Sequence, residues 1–440
     1  MNLNTHCQGL PAKIAWVWGL WWLLAGAVWS LDSTEKSIAD AIVAGQAKAL
    51  ELLETSVNIN SGTMNFAGVK ATGELFQQQF ADLGFDTQWI DGTPFERAGH
   101  LVASHGTKGP KILLIGHLDT VFPIDSPFQQ YELLPDNRAR GPGITDMKGG
   151  NVVMLLALQS LLQNGVLDQL QVRVVLAGDE ERRGKPYSLA NAALIEAAQW
   201  ADVALGFEDG DSDPRTAVIA RRSAGSWTLT IAAGSGHSSQ IFREDVGNGA
   251  IFEAARILDG WREALSDEPN LTFNPGLILG GTAVERDRVR AMGSAAGKDN
   301  VIAGHATVSG GIRALSQLQL DAAIATMQEI ASESGPNAQA SFEFFPAYPP
   351  MAPTDGNRRL LAMFDSASRD LGHGSVTAVD PRRAGAADIS FAAEYVDMAL
   401  DGLGLMGEGG HTVDEIADLS TLVSQTQRAA VVLYRLSQQQ

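Results

Sequence analysis

Two kinds of apolar pattern alternate along most of the chain. Short continuous apolar runs are typical of strands buried in a parallel sheet, and apolar residues at helical spacing predict amphipathic helices. The runs lie at 111–115, 171–177 and 201–207. The predicted helices lie at 34–53, 151–162 and 189–198. Strands and helices in this order predict an α/β fold with a mostly parallel sheet and crossover helices.

The pattern changes near residue 222. Residues 227–232 alternate apolar and polar side chains, which is typical of an antiparallel strand with one exposed face. Further strands are predicted at 277–279, 306–313 and 341–345, with helices at 250–264 and 318–332. The proline-rich segment 346–353 is predicted to be a stiff linker.

After that segment the parallel pattern returns. Helices are predicted at 357–371, 387–395 and 413–436, and strands at 375–379 and 398–400. The simplest organisation is a discontinuous α/β domain with a smaller α+β insertion. The predicted parts are a catalytic domain at 31–221 and 347–440 and a lid at 222–346.

The first residues form a separate segment. Residues 14–29 carry no charge and hold five of the nine tryptophans, and Ala25-Gly26-Ala27 matches a small-x-small cleavage site. We predict a signal peptide at 1–30 and an exported protein, periplasmic or secreted. An uncleaved membrane anchor is the alternative, although sixteen residues are short for a span, which needs about 20.

Charge and cysteine content narrow the possible functions. The chain has 32 Lys+Arg against 51 Asp+Glu, for a net charge of -19, so its surface repels phosphate backbones and nucleic acid is not an expected partner. The one cysteine, Cys7, precedes the apolar segment. Disulfides and thiolate zinc sites are therefore excluded from the rest of the chain, and a metal there needs His, Asp and Glu ligands.

Ionisable residues follow the predicted buried strands where each strand ends. His117 and Asp119 follow the first strand, Glu180 and Glu181 the second, and Glu208 the third. Open α/β sheets bind ligands at the carboxyl ends of their strands. Each residue alone has a simpler interpretation, such as a solvated acidic loop, but their shared placement favours a site.

Two further residues complete a metal-binding set. Asp146 lies in a Gly-rich turn before a helix, where an N-cap role is the alternative, and His411 precedes the last predicted helix. Asp146 would bridge two ions, one bound by His117 and Glu208, the other by Glu181 and His411. Nitrogen and oxygen ligands without sulfur suit two Zn²⁺ per chain, with Co²⁺ or Mn²⁺ as substitutes. Such a pair activates water and stabilises an oxyanion.

The same segments resemble a known family. The motifs HLDTVFP, GPGITDMKGG, GDEE, GFE and GGHTVDE, between about residues 110 and 436, are similar to the five blocks of the di-zinc exopeptidases. That family includes bacterial glutamate carboxypeptidase, aminoacylase and succinyl-diaminopimelate desuccinylase. The resemblance implies a catalytic α/β domain with an inserted lid that dimerises.

The resemblance also implies roles for individual residues. Asp119 is the carboxylate that orients His117, and Glu180 is the general base. The bond between Asp146 and Met147 falls where the family has a cis peptide. The implied metal ligands are His117, Asp146, Glu181, Glu208 and His411.

The resemblance implies roles for three further residues, which lie in the lid. His237, in the segment GSGHSS, matches the family's histidine loop, which reaches the partner subunit's active site and stabilises the oxyanion. Asn300 and Arg313 match residues that hold the substrate's backbone and carboxylate. Tyr348 stands near the position of a second arginine in glutamate-specific members, so we expect neutral C-terminal residues to be preferred over Glu.

These observations favour an exported zinc-dependent hydrolase that cleaves amide bonds of small peptides or N-acyl amino acids, as a carboxypeptidase does. The expected partners are that substrate and a second copy of the chain, bound through the lid. An aminoacylase or an aminopeptidase of the same family is the nearest alternative. A non-catalytic binding protein on this fold would be expected to lack Glu180 or a metal ligand.

Three other residues have simpler interpretations. His100 and His105 are predicted at the surface, and Lys148 is predicted to pack at a helix N-terminus.

Overall fold

The described residues form five β-sheets, and two of these, each with helices packed on it, are the framework of the fold. The computed structural model describes residues 30–288 and 290–439, and the predicted signal peptide lies outside them. The α-helices are α1 Ser33–Val57, α2 Phe66–Asp82, α3 Gly149–Gln163, α4 Tyr187–Ala190, α5 Ala192–Trp200, α6 Gly249–Leu265, α7 Gln317–Ser332, α8 Asp355–Asp370, α9 Ile389–Ala392 and α10 Thr421–Ser437.

The strands up to the lid are β1 Asp86–Asp91, β2 Gly99–His105, β3 Lys111–His117, β4 Glu132–Leu134, β5 Arg138–Arg140, β6 Gln171–Ala177, β7 Val203–Gly206 and β8 Thr216–Ala217. The remaining strands are β9 Ala224–Ala233, β10 Thr272–Gly281, β11 Ala283–Asp287, β12 Met292–Ala296, β13 His305–Arg313, β14 Ala338–Tyr348, β15 Thr377–Ala378, β16 Met398–Leu400, β17 Gly407–Glu408 and β18 Ile416–Asp418.

The main sheet has six strands in the order β1-β2-β6-β3-β7-β16. The pairs β6–β3, β3–β7 and β7–β16 are parallel, and β1 and β2 add an antiparallel edge. This confirms the predicted fold class, a mostly parallel α/β sheet. Strands β6 and β16 have the predicted bounds, whereas α2 and the pairing of β1 with β2 were not predicted.

Both faces of the main sheet are buried, which explains the continuous apolar runs. In β3, Ile112 and Leu114 face a core that includes α1, α3 and α10, while Leu113 and Ile115 face a second core with α5 and α9. Successive side chains on a strand point to opposite faces, so a strand covered on both faces is apolar at every position.

The second sheet is entirely antiparallel, in the order β10-β13-β9-β14. Helices α6 and α7 pack on one face, where Trp227 meets Trp261 edge-on with ring centroids 5.1 Å apart. We call residues 224–348 the lid. Strand β14 includes Pro346 and continues to Tyr348, so the proline-rich segment begins inside a strand. Proline is tolerated there because β14 is an edge strand.

The structure differs from the predicted elements near the end of the chain. The last helix begins at Thr421 rather than at 413, because residues 416–418 form β18 and pair with β5. The helix predicted at 387–395 is shortened to α9, and the strand predicted at 375–379 to β15. Within the described residues, no helix is long and apolar enough to span a membrane.

Candidate active site

The candidate ligands come from the carboxyl ends of neighbouring strands. His117 is the last residue of β3, Glu181 follows β6, and Glu208 follows β7. Asp146 lies in the turn Ile144–Lys148 that leads into α3. Since β6, β3 and β7 are parallel neighbours, their carboxyl ends meet at one edge of the sheet.

The first group of ligands surrounds the imidazole of His117. Its Nε2 lies 2.9 Å from Asp146 Oδ1 and 3.5 Å from Glu208 Oε1. The His117 ring is buried, and its Nδ1 lies 3.0 Å from the backbone oxygen of Asp119. A hydrogen bond from Nδ1–H to that oxygen leaves Nε2 free to act as a ligand.

The second group shares Asp146 with the first. His411 Nε2 lies 2.9 Å from Asp146 Oδ2 and 3.2 Å from Glu181 Oε2. His411 has a positive φ of 64°, in a loop that brings its ring back over the strand ends. In each group the potential ligand atoms lie within 4.8 Å of one another. The two oxygens of Asp146 thus face two different imidazoles.

The residues present fit a pair of divalent cations. Glu181 Oε1 is buried and has no hydrogen-bond partner in the structure, although a buried carboxylate oxygen normally has one. A cation bound between Glu181 and His411 would satisfy that atom. Imidazole nitrogens and carboxylate oxygens are ligands that zinc and related ions accept.

Protons are held tightly in this cluster. Hydrogen bonds with Asp146 and Glu181 raise the pKa of His411 to about 11. Burial works against a charge on His117, yet its hydrogen bonds with Asp119, Asp146 and Glu208 raise its pKa well above the usual range. Burial raises the pKa of Glu181 to about 7. A divalent cation would take the place of these protons, because metal ligands must be deprotonated.

Glu415 supports the Asp146 turn, a role that the sequence did not reveal. Its fully buried carboxylate accepts hydrogen bonds from the backbone N–H groups of Gly143, Thr145 and Asp146, at 2.8, 2.9 and 3.2 Å. It lies four positions after His411 in the motif GGHTVDE. That spacing was visible in the sequence, but the contact with residues about 270 positions away was not.

Hydrogen bonds to Asp119 connect the segment that follows β3 to the segment that follows β6. Its carboxylate accepts hydrogen bonds from the backbone N–H groups of Glu180 at 3.0 Å and Glu181 at 3.2 Å. It also accepts the hydroxyl of Thr63 at 2.6 Å. Besides facing His117, Asp119 thus fixes the segment that carries both glutamates.

The side chain of Glu180 contacts the lid. The hydroxyl of Tyr348, at the end of β14, lies 3.0 Å from Glu180 Oε1. Arg183 donates to that hydroxyl at 3.1 Å and also pairs with Asp388 and Asp179. Burial, assisted by the charge of Asp388, raises the pKa of Glu180 well above the usual range.

The structure separates the three lid residues that the resemblance singled out. The exposed His237 follows the far end of β9, and the backbone oxygen of the neighbouring Asn300 accepts a hydrogen bond from Ser238. Arg313 lies at the opposite end of the sheet, where β13 pairs with Thr272. Strand β9 alone spans roughly 30 Å at about 3.3 Å per residue. His237 and Asn300 thus lie together, and Arg313 lies apart from them.

The two arginines before β9 have different environments. Arg221 is buried and pairs with Asp401 at 2.9 Å, and Asp401 in turn accepts the backbone N–H of Glu208 at 3.3 Å. Arg222 donates to Thr272 at 2.9 Å. Burial lowers the pKa of Arg222, and so do the charges of Arg313 and Arg382. Arg221 is therefore a structural residue, whereas Arg222 belongs to a cluster of positive charge.

Three other predictions have clear outcomes. His100 is buried rather than at the surface, because its ring stacks on Phe95, accepts the N–H of Gly178 and lies 2.9 Å from the backbone oxygen of Ala190. Lys148 is buried and donates to the backbone oxygen of Ile59 at 2.8 Å, so it packs beneath the turn as predicted. The predicted cis peptide between Asp146 and Met147 is present.

Comparison with known proteins agrees with this arrangement. The profile of peptidase family M20/M25/M40 matches residues 113–439. Carboxypeptidase G2 from Pseudomonas sp. (strain RS-16) is 26% identical over 408 residues, which cover 89% of this chain and 90% of that protein. Succinyl-diaminopimelate desuccinylase from Gluconacetobacter diazotrophicus is 27% identical over 373 residues, with 80% and 89% covered.

Solved structures show the same fold. Aminopeptidase PepT from Bacillus cereus superposes with a TM-score of 0.69 at 18% identity, covering 89% of this chain and 99% of that one. A dinuclear metal binding peptidase of the M20 family from Bacillus subtilis superposes with a TM-score of 0.62 at 17% identity, covering 89% and 98%. With the profile matching from β3 to the last helix, the chain belongs to peptidase family M20/M25/M40 and is a metallopeptidase or amidohydrolase of that family.

Proposed function

We propose that the protein hydrolyses amide bonds of small peptides or N-acyl amino acids and releases a free C-terminal amino acid. The position of Asp146 carries this proposal. Its two carboxylate oxygens lie 2.9 Å from His117 Nε2 and 2.9 Å from His411 Nε2, which is the arrangement that a bridging ligand requires. The similarity to Carboxypeptidase G2 over 89% of the chain supports a carboxypeptidase-type reaction.

The proposed cofactor is two Zn²⁺ per chain, with Co²⁺ or Mn²⁺ as substitutes. One ion would be held by His117 and Glu208, and the other by Glu181 and His411. Asp146 would bind both ions. When bound, such a pair supplies Lewis acidity for the scissile carbonyl and lowers the pKa of water.

Glu180 is the proposed general base. Burial raises its pKa, which suits a carboxylate that accepts a proton from water and returns it to the leaving nitrogen. The hydroxyl of Tyr348 is hydrogen-bonded to Oε1 of Glu180, so we assign the proton transfer to Oε2 of Glu180. Asp119 holds the backbone of Glu180 and so fixes the direction of its side chain.

Arg313 is the proposed partner of the substrate's α-carboxylate, because its planar fork matches carboxylate geometry. Tyr348 is neutral, and Arg221 is paired with Asp401, so neither offers a free cation to an acidic side chain. An unpaired carboxylate in a closed cleft is unfavourable. We therefore propose a preference for neutral C-terminal residues over Glu.

The proposed assembly is a homodimer formed through the lid. Ile251 and Phe252 on α6 are exposed by 49% and 55%, and Ile278 on the neighbouring edge strand β10 by 54%. An exposed apolar group of this kind favours contact with a second copy. His237 and Asn300, at the far end of the lid, would then act in the partner's active site.

Export is proposed from residues 14–29 and the Ala25-Gly26-Ala27 site. N-terminal sequencing of the protein from the periplasm or the medium tests it. A mature chain beginning near Val28 or Leu31 is expected, whereas an intact Met1 in the membrane fraction would indicate an anchor.

The reaction is tested by a hydrolysis screen over N-acyl amino acids and dipeptides, with and without a chelator. We expect activity that the chelator abolishes and Zn²⁺ restores. Glu180→Gln should retain metal but lose roughly 10²–10⁴ in turnover. Glu181→Gln should lose metal from one site, and Asp146→Ala should lose both ions. Two metals retained in Asp146→Ala, by elemental analysis, would contradict the proposed site.

Specificity is tested with matched N-acyl substrates that end in Leu, Phe or Glu. Higher kcat/KM for Leu and Phe is expected, and amidation of the α-carboxylate should abolish turnover. A preference for Glu that Arg222→Gln removes would assign the acidic side chain to Arg222 instead. Equal turnover of amidated substrates would contradict the role of Arg313.

A further inference from the structure

A cavity of about 510 Å³ opens beside the ligand groups, and its lining is mostly apolar. It lies between the loop that precedes α2 and the loop that follows β3. Its walls include Thr63, Met64, Val121 and Ile124. The nearly buried side chain of Glu181 and the exposed Arg182 also line it. A volume between about 300 and 1,000 Å³ is usual for a site that binds a small molecule.

The two walls are fastened together by their backbones. Thr63 N–H donates to Thr120 O at 3.1 Å, and Thr120 N–H donates to Ser61 O at 2.9 Å. At Gly62 a Cβ atom would lie 2.2 Å from the backbone oxygen of Phe122, so only glycine permits this approach. The cavity is therefore built before any ligand binds.

The cavity is continuous with the candidate active site. Glu181 lines the cavity, and its Oε2 faces His411. Thr63 donates to the carboxylate of Asp119, which also accepts the N–H of Glu181 at 3.2 Å. A molecule in the cavity would thus touch the second ligand group directly.

Large apolar side chains are exposed along this cavity. Ile124 is 70% exposed, Met64 52% and Val121 37%. Scattered apolar residues are normal on a surface, but a group of them at a concave site beside catalytic groups marks a ligand-binding region.

The direction of the proposed reaction decides which part of the substrate lies here. Glu180 returns a proton to the leaving nitrogen, so the amine side of the scissile bond faces Glu180 and Tyr348. Glu181 is the ligand that also lines the cavity, so the acyl substituent on the other side of the scissile bond would extend past Glu181 into the cavity.

We propose that this cavity binds the acyl side of the substrate and selects an apolar acyl group of about six carbons or more, aliphatic or aromatic. This inference rests on the proposed function. An acetyl group would leave Met64, Val121 and Ile124 in water. Each methylene that moves from water into the cavity should raise kcat/KM by roughly fourfold.

The test compares N-acetyl-, N-hexanoyl- and N-succinyl-leucine with the zinc-loaded enzyme. The hexanoyl group has four more methylenes than the acetyl group, so we expect its kcat/KM to be higher by roughly 250-fold if all four are buried, and by at least about tenfold if they are partly buried. The double variant Met64→Asn/Ile124→Asn should reduce that ratio to near one. Both residues are exposed, so the fold should survive, which a thermal melt checks. Leu133→Asn, at a residue that is 67% exposed and not among those that line the cavity, should leave the ratio unchanged.

Two results would overturn the inference while leaving the proposed function intact. One is a hexanoyl-to-acetyl ratio that the double variant does not change. The other is a preference for the succinyl substrate that Arg182→Gln abolishes, because Arg182 at the rim would then select a charged acyl group. Failure to hydrolyse any of the three substrates in a chelator-sensitive manner would overturn the proposed function itself, and the inference with it.

Discussion

The hydroxyl of Tyr348 lies 2.8 Å from the backbone oxygen of Glu180 and 3.0 Å from its Oε1. Tyr348 ends the last strand of the lid, and Glu180 follows a central strand of the main sheet. The contact therefore joins the lid to the proposed base. Arg183 donates to the same hydroxyl, and its charge is balanced by Asp388 and Asp179.

Tyr348→Phe should lower kcat by roughly 10–100-fold while changing KM little, because it removes a hydrogen bond that orients Glu180 but leaves the ring packed on Phe391. Steady-state kinetics on an N-acyl amino acid would measure this. Tyr395→Phe, at a partly exposed tyrosine of the α9 region, is the matched control. An unchanged kcat in Tyr348→Phe would show that the contact does not position the base.

Glu415→Gln should weaken metal binding by roughly 10–100-fold, because an amide cannot accept all the N–H groups that now hold the Asp146 turn. Competition with a chromogenic chelator would measure the affinity. Glu408→Gln, at an exposed glutamate near the same loop, should bind metal like the wild type. Equal affinities for both variants would remove Glu415 from the supporting set.

Metal affinity should rise with pH between 6 and 8. The pKa of His411 is raised to about 11 by Asp146 and Glu181, so the metal-free histidine holds its proton across this whole range. A cation must displace that proton, so the apparent affinity should increase by about tenfold per pH unit for each proton released. Chelator competition at pH 6, 7 and 8, corrected for the chelator's own protonation, gives the slope. An affinity independent of pH would argue against His411 as a ligand.

Mixing two inactive variants, His237→Ala and Glu180→Gln, should restore activity if His237 acts across a dimer. Removing one oxyanion donor typically costs 10²–10³ in turnover, so each parent should be nearly inactive. A mixed dimer would hold one site with both residues intact. Subunit exchange is checked with differently tagged chains, and exchange without recovery would assign His237 to its own chain.

The pattern of apolar residues along the chain was enough to predict the central strands of the main sheet. The apolar runs of β3, β6 and β7 were recognisable because a strand that is covered on both faces has no polar positions to interrupt it. The residues after those strands could be grouped into one site, since parallel strands bring their carboxyl ends to the same edge. His117, Glu181 and Glu208 were found in this way, whereas Asp146 was proposed from a Gly-rich turn before a helix and His411 from the segment before the last predicted helix.

Long-range contacts were beyond such reasoning. Residues 413–420 look like the start of a helix, yet residues 416–418 form β18, which pairs with β5, and Glu415 is buried against the Asp146 turn. His100 was placed at the surface, because its sequence neighbours do not indicate that Phe95 and Gly178 enclose it.

By itself, then, the sequence determined the fold class and the ligand types, because these depend on periodicity and on residues placed next to strand ends. The family was indicated by the resemblance of the five motifs. Only the tertiary structure decided how Tyr348 meets Glu180, that His237 and Arg313 lie at opposite ends of the lid sheet, and that loops 61–64 and 120–124 enclose a cavity. Each of these relationships joins segments far apart in the chain. Such contacts are fixed by the packing of the whole molecule, and no local pattern of residues encodes them.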